Sequence, residues 1–296
     1  MIFKTGTLWE LLVSTSENAL HSQALLPVPT KYTFIEDSGI QFLVRILANI
    51  ADIQHKTAIR TEKHANPFLP PEKELIVADI SHTHIAVLNK FNVLKHHLLI
   101  ITRQYEDQEM LLTPNDFQAL WLCMAEFNGL AFYNGGRIGG ASQNHKHIQI
   151  VPLPFAPDGP AIPIEPMLCK ARANEITDIP QFPFLHSFVR LDRGLDRSPT
   201  EAAKRTFNLY SSMLISAGMT APSTNRPTHQ SLPYCFLVTR KWMLLVPRSK
   251  DSFDGIPLNS LAFAGSLFVH NERQLETLKN HGPMKVLASV AILKKD

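Results

Sequence analysis

The chain has 296 residues, 45% hydrophobic and 19% charged, enough to bury a large core and too apolar for disorder, collagen or coiled coil. Its 29 Lys and Arg against 26 Asp and Glu leave a formal charge of +3, which gives no general polyanion-binding surface and argues against nucleic acid as a bulk partner. Cys123, Cys169 and Cys235 lie far apart without a C-x-x-C pair, which fits neither a disulfide framework nor a cysteine-rich zinc site. The N-terminus carries no leader pattern and no apolar run reaches about eighteen residues, so a soluble, reducing, cytoplasmic protein with no membrane partner is expected.

In chain order, the first forty residues hold no sustained period and predict a helix followed by an extended arm. The apolar stretch 42–53 fits a helix or a strand equally. A polar segment, 54–66, contains Lys56, Arg60 and Lys63 and runs into Asn66-Pro67-Phe68-Leu69-Pro70-Pro71, whose prolines preclude regular pairing. Short β-rich runs follow at 75–80, 85–91 and 97–102. Thr113, Pro114 and Asp116 form a helix start, and Phe117, Leu120, Trp121, Met124 and Phe127 recur at three-four spacing until Gly129 stops the helix. Residues 130–133 and 145–151 read as strands flanking a glycine-dense loop. Strands on both sides of one helix indicate an α+β fold on an antiparallel sheet.

Six prolines between Pro152 and Pro166 allow neither a helix nor a central strand, so a boundary is placed there, dividing 1–170 from a smaller part, 171–296. In the second part Ser198-Pro199 starts a helix with Ala203, Phe207, Tyr210 and Leu214 on one face. A hairpin of 234–239 with 242–246 follows.

The most informative stretch is Asn134 to Gln149, NGGRIGGASQNHKHIQ. Four of the 13 glycines fall between Gly135 and Gly140, a density that permits positive φ and close approach of backbone N–H groups to a ligand. On a strand, His145, His147 and Gln149 share one face while Lys146, Ile148 and Ile150 share the other. Two imidazoles and a carboxamide beside a glycine loop are hard to explain by packing. Two readings stay open. H-x-H is a metal-ligand spacing, repeated at His82 and His84, although no Asp, Glu or Cys lies near His147 to complete a shell. Alternatively the imidazole is itself the nucleophile toward phosphorus, needing a neutral ring, a partner that fixes its tautomer, and donors for phosphate oxygens.

GGASQNHKHIQ, NPFLPPEKELIVADISHTHIAVLNKFNV and VPRSK…LNSLAFAGSL together resemble the diadenosine tetraphosphate (Ap4A) phosphorylases, or ATP adenylyltransferases. That family belongs to the histidine-triad (HIT-like) superfamily and is akin to the galactose-1-phosphate uridylyltransferases, which implies a HIT-like antiparallel sheet with flanking helices. The resemblance implies reversible conversion of Ap4A and phosphate to ATP and ADP through an adenylyl-histidine on His147. Gln149 matches the family's phosphate-contacting glutamine, and His145, beside the nucleophile, is read as orienting it. The resemblance matches substrate contacts to Asn89, Lys90, Asn134, Gly140, Ala141, Ser142 and Gln143, and to an upstream lysine aligned best with Lys56, with Lys63 as an alternative. In the second half the family shows Tyr-Asn and Thr-Lys where this chain has Tyr234-Cys235 and Thr239-Arg240. Tyr234 and Arg240 are matched there, and the missing Asn removes one nucleotide contact.

The expected partners are therefore Ap4A, ATP, ADP and phosphate. No tightly bound cofactor or protein-held metal is expected, and Mg2+ would accompany the polyphosphate. The oligomeric state is open, a monomer being compatible. A dinucleoside polyphosphate hydrolase or another nucleotidylyl transferase of the superfamily is the alternative, and a non-catalytic nucleotide-binding protein is a third reading. Lys95-His96-His97 reads as a solvated strand entry, Trp121 and Met124 as core, and Arg248 as an ordinary strand-ending cation outside the site.

Overall fold

The computed structural model describes residues 2–47, 66–168, 173–223 and 228–294. The opening helix is Leu8–His21 (α1), and the extended arm is a strand, Thr30–Asp37 (β1), paired antiparallel with Ile40–Leu47 (β2). The apolar stretch from Phe42 is thus a strand as far as Leu47; its remainder, Lys56 and Lys63 lie outside the described residues.

The β-rich runs become Ile76–Asp79 (β3), His84–Leu88 (β4) and Leu98–Thr102 (β5). Helix Pro114–Met124 (α2) carries a reciprocal cap: the Thr113 hydroxyl accepts from the Asp116 N–H, and the Asp116 carboxylate accepts from the Thr113 N–H at 2.6 Å. The helix ends at Met124, short of Gly129. That glycine opens the next strand, Gly129–Gly135 (β6), where a Cβ would stand 2.9 Å from Ile150. Its lack of a side chain serves strand packing rather than helix termination.

Next come His147–Pro152 (β7), Ile176–Thr177 (β8), Ser187–Arg190 (β9) and helix Pro199–Ser216 (α3). The expected hairpin is Tyr234–Val238 (β10) with Trp242–Pro247 (β11). The chain continues through Ser252–Phe253 (β12), Ile256–Pro257 (β13), the single turn Ser260–Phe263 (α4), Ser266–Val269 (β14), and helices Glu272–His281 (α5) and Pro283–Val290 (α6).

One antiparallel sheet takes nine strands in the order β3-β4-β5-β7-β6-β10-β11-β9-β8. Because β6 pairs with β10, this sheet runs unbroken across the proline-rich segment. A smaller sheet, β1-β2-β14, also joins both ends of the chain, with β14 parallel to β2. The fold is α+β.

Strand parity sorts the core. Ile148, Ile150, Tyr133 and Phe236 face a layer that contains α1, α2 and α3, with Trp121 and Met124 buried in it as expected. Val151, Phe132, Leu237 and Leu244 face the opposite layer, made by the small sheet, α4 to α6 and the proline-rich segment. His147 and Gln149 share the parity of Val151 and so open on this second face. Their cross-strand neighbours Ile101 and Leu99 belong to a separate small apolar cluster with Phe68, Ile85 and Val87. Among the described residues no helix is long and apolar enough to cross a membrane.

Candidate active site

Strand β7 starts at His147, and its first residue is held in three ways. The His147 N–H donates to Gln108 Oε1 at 2.8 Å. Gln108 Nε2 in turn donates to the carbonyls of Asn134 (2.9 Å) and His147 (3.3 Å), tying the strand to β6. The His147 ring donates from Nδ1 to the His145 carbonyl at 2.8 Å. That bond fixes the tautomer and leaves Nε2, with its lone pair, for the cavity. Burial pushes the ring pKa down to about 4; the bond to the His145 carbonyl opposes the shift and the nearby His145 ring adds to it. The imidazole is therefore neutral at physiological pH, as a nucleophile toward phosphorus requires.

His145 lies just before the strand. Its Nε2 donates to the Thr102 carbonyl at 2.8 Å, and its Nδ1 accepts from Asn66 Nδ2 at 2.9 Å. Asn66 Oδ1 accepts from the Phe68 N–H at 3.0 Å, and the Phe68 ring contacts both imidazoles at centroid distances of 5.6 and 5.5 Å. The Asn-Pro-Phe motif thus sets the two rings. With both nitrogens engaged, His145 has no lone pair to offer a metal. His84 is likewise held, by Thr83 Oγ1 at 2.9 Å and Asp116 at 3.0 Å. One member of each H-x-H pair is thus already engaged. No group of three or more His, Cys, Asp or Glu among the described residues is placed to hold a metal ion.

Six expected site residues converge on one cavity of about 280 Å³: Asn89, Lys90, Ser142, Gln143, His147 and Gln149. Lys90 forms a 2.6 Å ion pair with Glu72 at the rim. The structure corrects the reading of His97, which is 8% exposed rather than solvated. Its Nδ1 accepts from Asn89 Nδ2 at 3.2 Å, so Nε2 carries the proton. Burial drives its pKa to about 4, while Gln149 acts as a hydrogen-bond partner that partly opposes the shift and His147 lowers it further. Among the described residues no partner lies within ordinary hydrogen-bond distance of Nε2, so the Gln149 contact is a long one, open to tightening around a ligand. His97 and Gln108 are the site residues that sequence reasoning missed. Neither lies in a periodic or motif-like context.

The glycine loop is packed against the second half of the chain. A Cβ on Gly139 would meet Tyr234 O at 2.8 Å, and one on Gly140, whose φ is +98°, would meet Asn259 Cα at 2.7 Å. These glycines let the loop close tightly on the second half of the chain. Gly140, Ala141 and Ser142 line a neighbouring cavity of about 480 Å³ opposite Leu258 and Asn259, and Ser142 belongs to both cavities. Asn134 is buried, its Oδ1 accepting from the Ser260 N–H (2.9 Å) and hydroxyl (2.7 Å) at the start of α4.

Two expected contacts are not brought to the site. Tyr234 points to the helical face, where its hydroxyl meets that of Tyr210 at 2.6 Å; it pairs with Gly135 across β6, so parity turns it away from the histidines. Arg240, in the β10–β11 turn, donates to the Met124 carbonyl at 2.7 Å and pairs with Asp196 at 3.3 Å. It lines a cavity of about 970 Å³ around Trp242 that contains none of the site histidines.

Beneath the site, Lys146 points to the opposite face, where it is 1% exposed and donates to Asp116 at 2.7 Å and Glu106 at 3.1 Å. Burial pushes the Asp116 carboxyl up, but the Lys146 charge and hydrogen bonds from His84 and Lys146 outweigh it and hold the acid below the usual carboxylate range. The cap of α2 is thus pinned between the two histidines.

Comparison with known proteins supports this assembly. Residues 1–170 match the Ap4A phosphorylase N-terminal domain, and residues 180–293 the ATP adenylyltransferase C-terminal domain. The chain is 28% identical over 239 residues to diadenosine 5',5'''-P1,P4-tetraphosphate phosphorylase 2 of Saccharomyces cerevisiae, covering 73% of this chain and 72% of that protein. Protein APA1 of the same yeast is 25% identical over 233 residues, 72% and 71% of the two chains. The crystal structure of yeast Ap4A phosphorylase Apa2 superposes with a TM-score of 0.81 at 24% identity, covering 100% of this chain and 97% of that one, a likeness of fold. A histidine strand fixed at its first residue, a glycine loop closed by the second half and a match across both parts agree: the chain belongs to the Ap4A phosphorylase family.

Proposed function

We propose that this protein catalyses the reversible phosphorolysis of Ap4A, converting Ap4A and phosphate to ATP and ADP. The observation that carries the reading is the His147 Nδ1–H bond to the His145 carbonyl, which presents a neutral Nε2 to the cavity. Nε2 attacks the α-phosphorus of one adenylyl group in line. The bond to the bridging oxygen breaks, ATP leaves with that oxygen, and a phosphoramidate joins AMP to His147. Inorganic phosphate then attacks the same phosphorus; the P–N bond breaks, its electrons return to Nε2, and ADP departs.

Little covalent chemistry is left for other residues, so positioning and charge supply the acceleration. Lys90, Gln149, Ser142 and Gln143 around the cavity fill that role, and His145 orients the nucleophile through its carbonyl. Magnesium, where it takes part, enters bound to the polyphosphate.

The deciding experiment is product analysis with Ap4A, with and without phosphate. Equal ATP and ADP, formed only with phosphate, is expected. AMP released without phosphate would instead identify water as the acceptor and a hydrolase.

A further inference from the structure

Arg248, which the sequence presents as an ordinary strand-ending cation, is 1% exposed. Its guanidinium is held by neutral acceptors. Nη1 donates to the Leu258 carbonyl and to Cys235 Sγ, both at 3.1 Å, and reaches the Gly139 carbonyl at 3.5 Å. Nη2 donates to Lys250 O (2.7 Å) and Leu258 O (3.0 Å), and Nε to Val290 O (3.2 Å). The Phe263 ring packs 5.3 Å away. Among the described residues no carboxylate pairs with it. A guanidinium cannot shed its proton, and a buried charge ordinarily has a counter-charge. Here a whole positive charge is stored, uncompensated, in the wall of the molecule.

That wall is the seam between the two halves. Gly139 belongs to the glycine loop, and Leu258 leads into Asn259 and Ser260, which hold the far side of the second cavity and the Asn134 side chain. One cation therefore grips both lips of the cleft that continues from the histidine cavity through Ser142.

We infer that Arg248 is a positioning residue for the polyphosphate. It touches no substrate. It sets the glycine loop against the 258–260 segment, and it supplies a fixed charge whose missing counter-ion is the bound polyphosphate. The inference rests on the proposed nucleotide function, with the polyphosphate lying along this loop.

The test alters the charge beside Arg248 and leaves its bonds to the 250, 258 and 290 carbonyls in place, although the Cys235 thiol also donates to the Gly139 carbonyl at 3.3 Å. Cys235→Asp sets a carboxylate against Nη1 and cancels the charge; Cys235→Asn is the same size and neutral. ATP and AMP affinities are measured by calorimetric titration of the intact protein. A unit charge roughly 10 Å away at an effective dielectric near 20 changes affinity by about tenfold. ATP should therefore bind about tenfold more weakly to the Asp variant than to the Asn variant, with AMP changed by less than about threefold. Equal ATP affinity in the two variants, or equal losses for ATP and AMP, overturns the inference. Should Cys235→Asp fail to fold, Arg248→Lys against Arg248→Met asks the same question. The ATP-to-AMP affinity ratio should survive in the Lys variant and fall about tenfold in the Met variant, and equal ratios overturn the inference. Unaltered protein that binds neither nucleotide refutes the functional reading itself, a result distinct from either.

Discussion

Replacing Lys146 with Met isolates the pin beneath the two histidines. The ammonium gives up its bonds to Asp116 (2.7 Å), Glu106 (3.1 Å) and the Leu111 carbonyl (3.1 Å). Glu106 is 40% exposed, so water replaces its partner at little cost. Asp116 is 2% exposed and keeps only His84 and the Thr113 cap donors. Stranding one member of a buried ion pair costs about 3–5 kcal/mol, a loss readable by guanidinium denaturation at pH 7.5. Adding Asp116→Asn removes the stranded charge and should recover roughly half of that. The pH dependence has a definite sign. In the unaltered protein Asp116 sits below its ordinary range, so its contribution is present above about pH 4 and lost as pH falls further. In the Met variant the Lys146 charge no longer opposes burial, so the carboxyl titrates higher than in the unaltered protein, and the deficit shrinks on acidification. A loss below about 1 kcal/mol, or a second substitution that deepens it, would refute this account.

Other expectations follow from the same geometry. His147→Ala should abolish turnover while nucleotide binding persists, and intact mass should show an adenylyl adduct on the unaltered chain only. Gln108→Ala frees the His147 N–H inside the protein, an unmet donor that costs about 1–3 kcal/mol and should lower kcat more than it raises KM. His97→Phe keeps the ring and removes the donor facing Gln149; kcat/KM should drop about tenfold with melting temperature little changed. His147 and His97 both titrate near 4 when folded and near 6.5 when unfolded, so the unfolded chain takes up protons first. Stability should be complete above pH 6.5 and decline between there and pH 4 by a few kcal/mol, while the rate per folded molecule holds until about pH 5. Constant stability across that window would contradict burial as the cause.

Much of the fold was legible because it rests on local rules. Thr113 and Asp116 announced a cap that formed as expected, and strand parity from His147 to Val151 correctly divided cavity from core. The same parity, applied to β10, would have turned Tyr234 away and Cys235 toward the loop, had its pairing with Gly135 been known. Register between distant strands leaves no local trace. His97 reads as a solvated strand entry and Arg248 as an ordinary strand-ending cation because part of their burial comes from segments about fifty and about a hundred residues away. Arg240 stands where the family shows Lys, and the turn carries it to Asp196, away from the histidine cavity, which its position in sequence could not reveal.

The β6–β10 ladder also bears on how the chain is made. Every residue of β6 is buried, and one of its edges is completed only by residues 234–238. A ribosome finishing the first half therefore releases a long apolar strand whose backbone has no neighbour on that side, the geometry that invites pairing with foreign chains. Synthesis of roughly seventy more residues, at about 5–20 per second, sets the length of that exposure. Expression of the first half alone would make it permanent and should yield aggregates instead of a smaller enzyme.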